Sequence, residues 1–217
     1  MDTPKLESEI GKKISKLTNA KVRLENPDFT IHTIITENES ILGVSPPKRK
    51  EKRPKKIHDH PHQLDWKLTR AMINLIGLGK GKTICDPFCG TGTTLLEAEL
   101  LDLNGIGIDF DRKMWQKTKE NLEANGCKSQ VFNSDFQELS KFTDKFDAIV
   151  SDLPYGRASK TSEKPERILK KLLSILPQDK KIAIMYKKTP DSNIKLEGFK
   201  VYEIYRHKSL TRTIVIK

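Results

Sequence analysis

The stretch TICDPFCGTGTTLLEAELLDLNGIGID, Thr83 to Asp109, decides the fold. It opens on a strand-like run, Thr83–Asp86, passes through a glycine-rich loop and continues as a helical segment, Thr93–Leu103. It closes on a second strand-like run, Gly105–Asp109. A strand, a crossover helix and a second strand make a parallel pair. The alternation continues downstream. Strand-like runs recur at Gln130–Asn133, Ala148–Asp152 and Lys181–Tyr186. Between them lie helical segments at Arg112–Asn125 and Pro165–Ile175, and a short turn after Asp135. Two last runs, Phe199–Tyr205 and Thr211–Ile216, are separated by a short connection that includes His207 to Leu210, which predicts an antiparallel hairpin at a sheet edge. The expected class is α/β, with a mostly parallel seven-stranded sheet covered on both faces and an antiparallel C-terminal hairpin.

Upstream, Leu64, Leu68, Ala71, Met72, Leu75 and Ile76 form one face of a helix, closed by Gly77 and Gly79. Further back, Leu6, Ile10, Ile14 and Leu17 mark a short amphipathic helix over 5–17. β-like runs follow at Lys21–Leu24, Phe29–Thr36 and Ser40–Val44, with Asn26-Pro27-Asp28 as a turn. This small α+β piece, residues 1–45, is too short to stand comfortably alone. The segment 46–62 reads as a basic linker, and 63–217 as the main domain.

Composition narrows the function. The 217 residues carry 40 Lys and Arg against 29 Asp and Glu, a net +11. The charge is uneven: residues 61–155 sum to −3 and residues 156–217 to +10. The run KRKEKRPKK, Lys48 to Lys56, holds seven basic residues and one acidic, and reads as an exposed strip for nucleic-acid phosphate. Three cysteines cannot build a disulfide framework, which points to a reducing compartment. No apolar run reaches a membrane span, and the N-terminus has no signal-peptide core, so a cytoplasmic location is expected.

The loop Asp86-Pro87-Phe88-Cys89-Gly90-Thr91-Gly92-Thr93 lets backbone approach a ligand. It is not a dinucleotide fingerprint, because Leu95 stands where a third small residue belongs. The neighbouring Gly77–Thr83 run is not a phosphate loop, because it precedes a strand and has Ile76 at its first glycine position. Asp109 ends the second strand, 17 residues after Gly92, where a carboxylate can accept both hydroxyls of a ribose. Asp135 follows the third strand and faces the same crevice, placed to accept from an adenine amino group. Each acid has a rival reading as a helix cap.

The fourth strand ends in Ser151-Asp152-Leu153-Pro154-Tyr155-Gly156. A nucleobase amine is a poor nucleophile because its lone pair is delocalised into the ring. A carboxylate and a carbonyl that accept its two hydrogens draw that pair out and aim it. Asp152 supplies the first acceptor and the Leu153 carbonyl the second. Pro154 locks the turn and Tyr155 stacks on the base.

Together, Asp86–Thr93 and Asp152–Gly156 resemble motifs I and IV of class I S-adenosylmethionine-dependent amino-methyltransferases. The usual motif IV is Asp/Asn-Pro-Pro-Tyr, and Leu153 replaces its first proline. His60–Leu64, the helix from Lys67 to Leu75 and the ending Arg206–Arg212 are similar to archaeal tRNA guanosine-10 N2-methyltransferases. The resemblance covers residues 58–217. It implies a Rossmann-like domain that binds S-adenosylmethionine through Asp86, Phe88, Cys89, Gly90, Thr91, Gly92 and Thr93, with Asp109 on the ribose and Asp135 on the adenine. It implies Asp152, Leu153, Pro154 and Tyr155 as the catalytic set, no metal, and tRNA as substrate. Residues 10–44 look like the C-terminal part of a THUMP domain, which leaves three alternatives: a natural short form, a sequence missing part of that domain, or a protein partner that completes RNA binding. Motif IV also suits adenine-N6 and ribosomal guanine-N2 methylation, and a non-catalytic RNA-binding subunit is the rival from another class.

Other signals read as structural. His58-Asp59-His60-Pro61-His62 lacks zinc spacing. Cys85 and Cys89 read as packing, as do Trp66 and Trp115. His207 and Arg212 are open between RNA contacts and ordinary hairpin surface.

Overall fold

The computed structural model describes residues 3–46, 53–60, 64–154, 163–189, 194, 196–207 and 210–217, with backbone alone at 205–207 and 210. It divides into two units, Met1–Arg53 and Pro54–Lys217. The first contains α1 (Thr3–Thr18), β1 (Thr30–Ile35) and β2 (Ser40–Ser45). β1 and β2 pair antiparallel, Thr30 opposite Ser45 and Ile35 opposite Ser40. The strand expected at Lys21–Leu24 does not form. Its Leu24 is 95% exposed, and an isolated run without a partner has nowhere to place its backbone hydrogen bonds.

The second unit runs α2 (Trp66–Ile76), β3 (Thr83–Asp86), α3 (Thr93–Glu99), β4 (Asn104–Asp109), α4 (Arg112–Glu123) and β5 (Gln130–Asn133). A 3-10 segment, Phe136–Lys145, leads to β6 (Ala148–Asp152), α5 (Pro165–Ile175), β7 (Lys181–Lys187), β8 (Lys200–His207) and β9 (Leu210–Ile216). The sheet has seven strands in the order β5-β4-β3-β6-β7-β9-β8. β5 to β7 pair parallel, and β9 runs antiparallel to both β7 and β8. The expected mostly parallel sheet with a terminal hairpin is therefore the observed one.

Alternation along each strand builds two core layers. Ile84, Ala148, Val150, Ala183, Met185 and Ile214 pack with Met72, Ile73 and Ile76 of α2. Cys85, Ile149, Ile182, Ile184 and Val215 pack with Ile168, Leu169 and Leu172 of α5. Strands buried on both faces are what parallel sheets require. α2 starts at Asp65, whose Oδ1 accepts from the amides of Lys67 and Leu68, and stops at Gly77 with φ 62°. On α2, Leu75 is exposed and Ile73 takes the core position instead. α3 ends at Glu99 rather than Leu103, because the chain tightens there and reverses at Asp102, φ 58°.

β4 lies on one side of β3 and β6 on the other. The strand order therefore reverses at β3, and in open α/β sheets it is beyond the carboxyl ends of the strands at such a switch point, here β3, β4 and β6, that a ligand crevice forms.

Candidate active site

The glycine loop after β3 is held from three directions. Asp86 Oδ1 accepts from the amide of Phe88 at 3.1 Å and from Ser151 Oγ at 2.6 Å, which ties the tip of β3 to the tip of β6. The amide of Cys89 donates to Ile108 O at 3.0 Å, joining the loop to β4. Thr118 Oγ1 on α4 donates to Gly90 O at 2.6 Å. Gly92 has φ 83°, and a Cβ there would lie 2.9 Å from Thr118 Cγ2, so only glycine fits.

Asp109 is buried at the tip of β4. Its Oδ2 accepts from the amide of Gly90 at 3.0 Å and its Oδ1 from the amide of Asp111 at 2.9 Å. Burial lifts its pKa to about 6, with Asp86 adding to the rise and the two amides opposing it. Each oxygen keeps a second lone pair for a ligand. Asn133 at the end of β5 donates from Nδ2 to the carbonyls of Asp109 and Phe110, so the two strand tips are locked together. Asp135 is exposed, and its Oδ1 accepts from the amide of Gln137 at 2.8 Å, capping the 3-10 segment. Phe88 packs against Phe136 with ring centroids 5.0 Å apart, forming an aromatic floor between loop and segment.

Cys89 is buried, and burial pushes its thiol well above the ordinary range. The same holds for Cys85. Neither is a nucleophile at neutral pH.

Lys56, the last lysine of the basic run, is not part of a solvated strip. Its Nζ donates to Thr91 Oγ1 and Thr93 Oγ1, both at 2.9 Å, and burial lowers its pKa. Asn121 on α4 anchors this segment. Its Oδ1 accepts from the amides of Ile57 and His58, and its Nδ2 donates to His58 O and Thr91 O. One fully buried side chain thus couples residues 57–58 to the glycine loop. His58 also pairs with Glu120 through its ring. No sequence motif marks Asn121. Its signal was a polar residue on the buried stripe of α4, beside Thr118 and Leu122.

Asp152 closes β6 on the far side of the loop. Its Oδ1 is buried and has no hydrogen-bond partner among the described residues. Leu153 follows, 1% exposed, its amide donating to Met185 O at 2.8 Å. Pro154 comes next, and Tyr155 and Gly156 lie outside the described residues. The structure thus brings Asp86, Asp109 and Asp152 to the carboxyl ends of neighbouring strands around the loop, and leaves Asp135 exposed after β5.

Residues 53–208 match the family described as RMKL-like, methyltransferase domain (UPF0020). The chain belongs to this family. It is 34% identical over 228 residues to a tRNA (guanine(10)-N2)-dimethyltransferase of Methanocaldococcus jannaschii, covering 99% of this chain and 64% of the relative. It is 35% identical over 230 residues to the protein of the same name from Methanothermobacter thermautotrophicus, covering 99% of this chain and 68% of the relative. The chain therefore spans about two thirds of these relatives' lengths. In fold it is similar to the crystal structure of TrmN from Thermus thermophilus, at a TM-score of 0.57 and 22% identity, covering 100% of this chain and 68% of that one.

In this RMKL-like domain, Asp109 sets its carboxylate against the glycine loop, where a Cβ on Gly92 would strike Thr118. The electrostatics differ at the β6 end. Burial pushes the Asp152 pKa up to about 7, Arg212 opposes that rise, and Asp86 adds to it.

Proposed function

We propose that this chain transfers a methyl group from S-adenosylmethionine to the exocyclic N2 amine of guanine in RNA, with tRNA as substrate. When bound, the cofactor supplies an electrophilic methyl carbon for direct displacement. The chain's share is positioning and electrostatics. Gly90, Thr91 and Gly92 line the methionine part, with Asp86, Phe88, Cys89 and Thr93 shaping the loop around it. Asp109 accepts from the ribose hydroxyls. The free oxygen of Asp135 accepts from the adenine amine.

At the other end, Asp152 accepts one hydrogen of the target amine and the Leu153 carbonyl accepts the second. This draws the nitrogen lone pair out of the ring and holds it toward the methyl carbon. As the nitrogen gains positive charge, the carboxylate stabilises it and is placed to take the departing proton. Pro154 fixes the turn and Tyr155 stacks on the flipped base.

The observation that carries this reading is the buried Asp152 Oδ1 without a partner among the described residues, at the crevice that also holds Asp109. A buried acceptor left unpaired is costly unless a ligand supplies the donor. The names of the two archaeal relatives favour guanine N2 in tRNA over adenine N6. Residues 1–45 are read as a THUMP-like segment and 46–62 as a basic linker that contribute to RNA binding, alone or with a protein partner, with Lys56 to His58 of that linker anchored on the glycine loop and α4. Three cysteines without a disulfide among them suit the reducing cytoplasm.

The test is methyl transfer from labelled S-adenosylmethionine to unmodified tRNA, followed by digestion and nucleoside mass analysis. N2-methylguanosine or N2,N2-dimethylguanosine is the expected product. Label on another base, or no binding of the cofactor, overturns the reading.

A further inference from the structure

Arg212 stands in the C-terminal hairpin, yet the sheet register carries it to the crevice. Asp152 on β6 is opposite Met185 on β7, and Met185 is opposite Ile214 on β9. Directly opposed residues project to the same face, and so do residues two apart on one strand. Arg212 is two residues from Ile214 and opposite Lys187, two residues beyond Met185 toward the carboxyl end of β7. It therefore shares a sheet face with Asp152, two strand spacings across and two residues along, or about 12 Å between backbones. Arg212 is partly buried, and its charge acts on the Asp152 carboxylate.

Two charges among the described residues act on Asp152. Asp86 on β3 has the same sign and disfavours its ionised form, as burial does. Arg212 on β9 is the counterweight. The flanking Leu153 and the opposed Met185 are apolar, and Ser151 directs its hydroxyl to Asp86. Asp152 nevertheless keeps Oδ1 without a partner among the described residues, so the arginine does not occupy the oxygen that the amine needs.

We propose that Arg212 is the positioning residue for Asp152: its guanidinium stabilises the ionised carboxylate at the crevice and leaves Oδ1 open to the substrate amine. The role in catalysis rests on the methyltransferase reading above. Only the carboxylate form offers two acceptor oxygens, because a protonated acid turns one of them into a donor. Lysine would keep the charge without the planar, weakly hydrated fork that suits a buried ion partner.

The test is a carboxyl-carbon NMR titration of the full chain labelled at aspartate, with Asp152→Asn identifying the Asp152 signal. In Arg212→Met the midpoint is expected to rise by about one pH unit or more, and in Arg212→Lys by less. S-adenosylhomocysteine affinity, measured by calorimetry, is expected to stay unchanged, which also shows that the variant is folded. In transfer assays, the acidic limb of kcat should move with the midpoint. The Arg212→Met rate falls about fivefold at pH 7 and recovers near pH 9, since a rise of one pH unit from about 7 cuts the ionised fraction from roughly half to a tenth. An unmoved midpoint overturns the proposal, whether the rate is unchanged or falls equally at every pH. A shifted midpoint in a protein that binds cofactor but methylates no RNA would instead sink the functional reading and leave the link between Arg212 and Asp152 standing.

Discussion

Asp109 and Asp152 end two strands of one sheet beside its switch point, Asp109 buried and Asp152 half-buried with a buried Oδ1, yet their hydrogen-bond states are opposite. Both oxygens of Asp109 accept backbone amides, one of them from the glycine loop itself. Asp152 has an oxygen with no partner among the described residues. The β3–β4–β5 half is built as a finished cradle, and the β6–β7–β9 half keeps an acceptor in reserve. On the proposed reading, the first carboxylate holds the cofactor ribose through the reaction and the second meets the amine that must be activated.

Removing the reserved acceptor has the largest expected effect. Asp152→Ala should lower the transfer rate by about 100-fold or more at saturating cofactor, because the amine is no longer aimed. Its S-adenosylhomocysteine dissociation constant should change by less than about twofold, as calorimetry would show. Asp109→Ala should do the reverse. It removes the ribose acceptors and frees the Gly90 amide, weakening cofactor binding by about 2 kcal/mol, or roughly thirtyfold.

The two carboxyls should also separate by pH. Both have pKa values raised above the ordinary 3.8, to about 6 for Asp109 and about 7 for Asp152. Each works ionised, so each function is full above its pKa and lost as pH falls through it. Transfer at saturating cofactor should begin to fall near pH 7, and cofactor affinity only near pH 6. Each declines by up to about tenfold per pH unit below its midpoint. A shared midpoint would break the division of labour.

Asp135 gives the smallest expected effect. Its carboxylate caps the segment at Gln137, so Asp135→Ala should cost about 0.5–1 kcal/mol of stability in urea unfolding. If Asp135 also holds the adenine, cofactor affinity drops as well.

Much of this arrangement was legible in the chain. Apolar runs separated by helical periods give a parallel sheet, and carboxylates at strand ends give the crevice. What was hidden depended on partners distant in sequence. Val22 and Leu24 have the residues of a strand, but local preference cannot show that no neighbour pairs with them. Lys56 belongs to a charge run that looks solvated, and only the fold brings Thr91 and Thr93 to its ammonium. Asn121 sits on a helix like any polar residue until Ile57, His58 and Thr91 close around it. Arg212 lies 60 residues beyond Asp152, and strand register alone reveals that they share a face.

The most direct measurement takes Asp109→Ala and Asp152→Ala together and determines, for each, the cofactor dissociation constant and the single-turnover rate at saturating cofactor. The expected result is a crossed pattern, with Asp109→Ala losing affinity while keeping most of its rate and Asp152→Ala losing rate while keeping affinity. Equal losses of both quantities in both variants would contradict the separation of a holding carboxylate from an activating one.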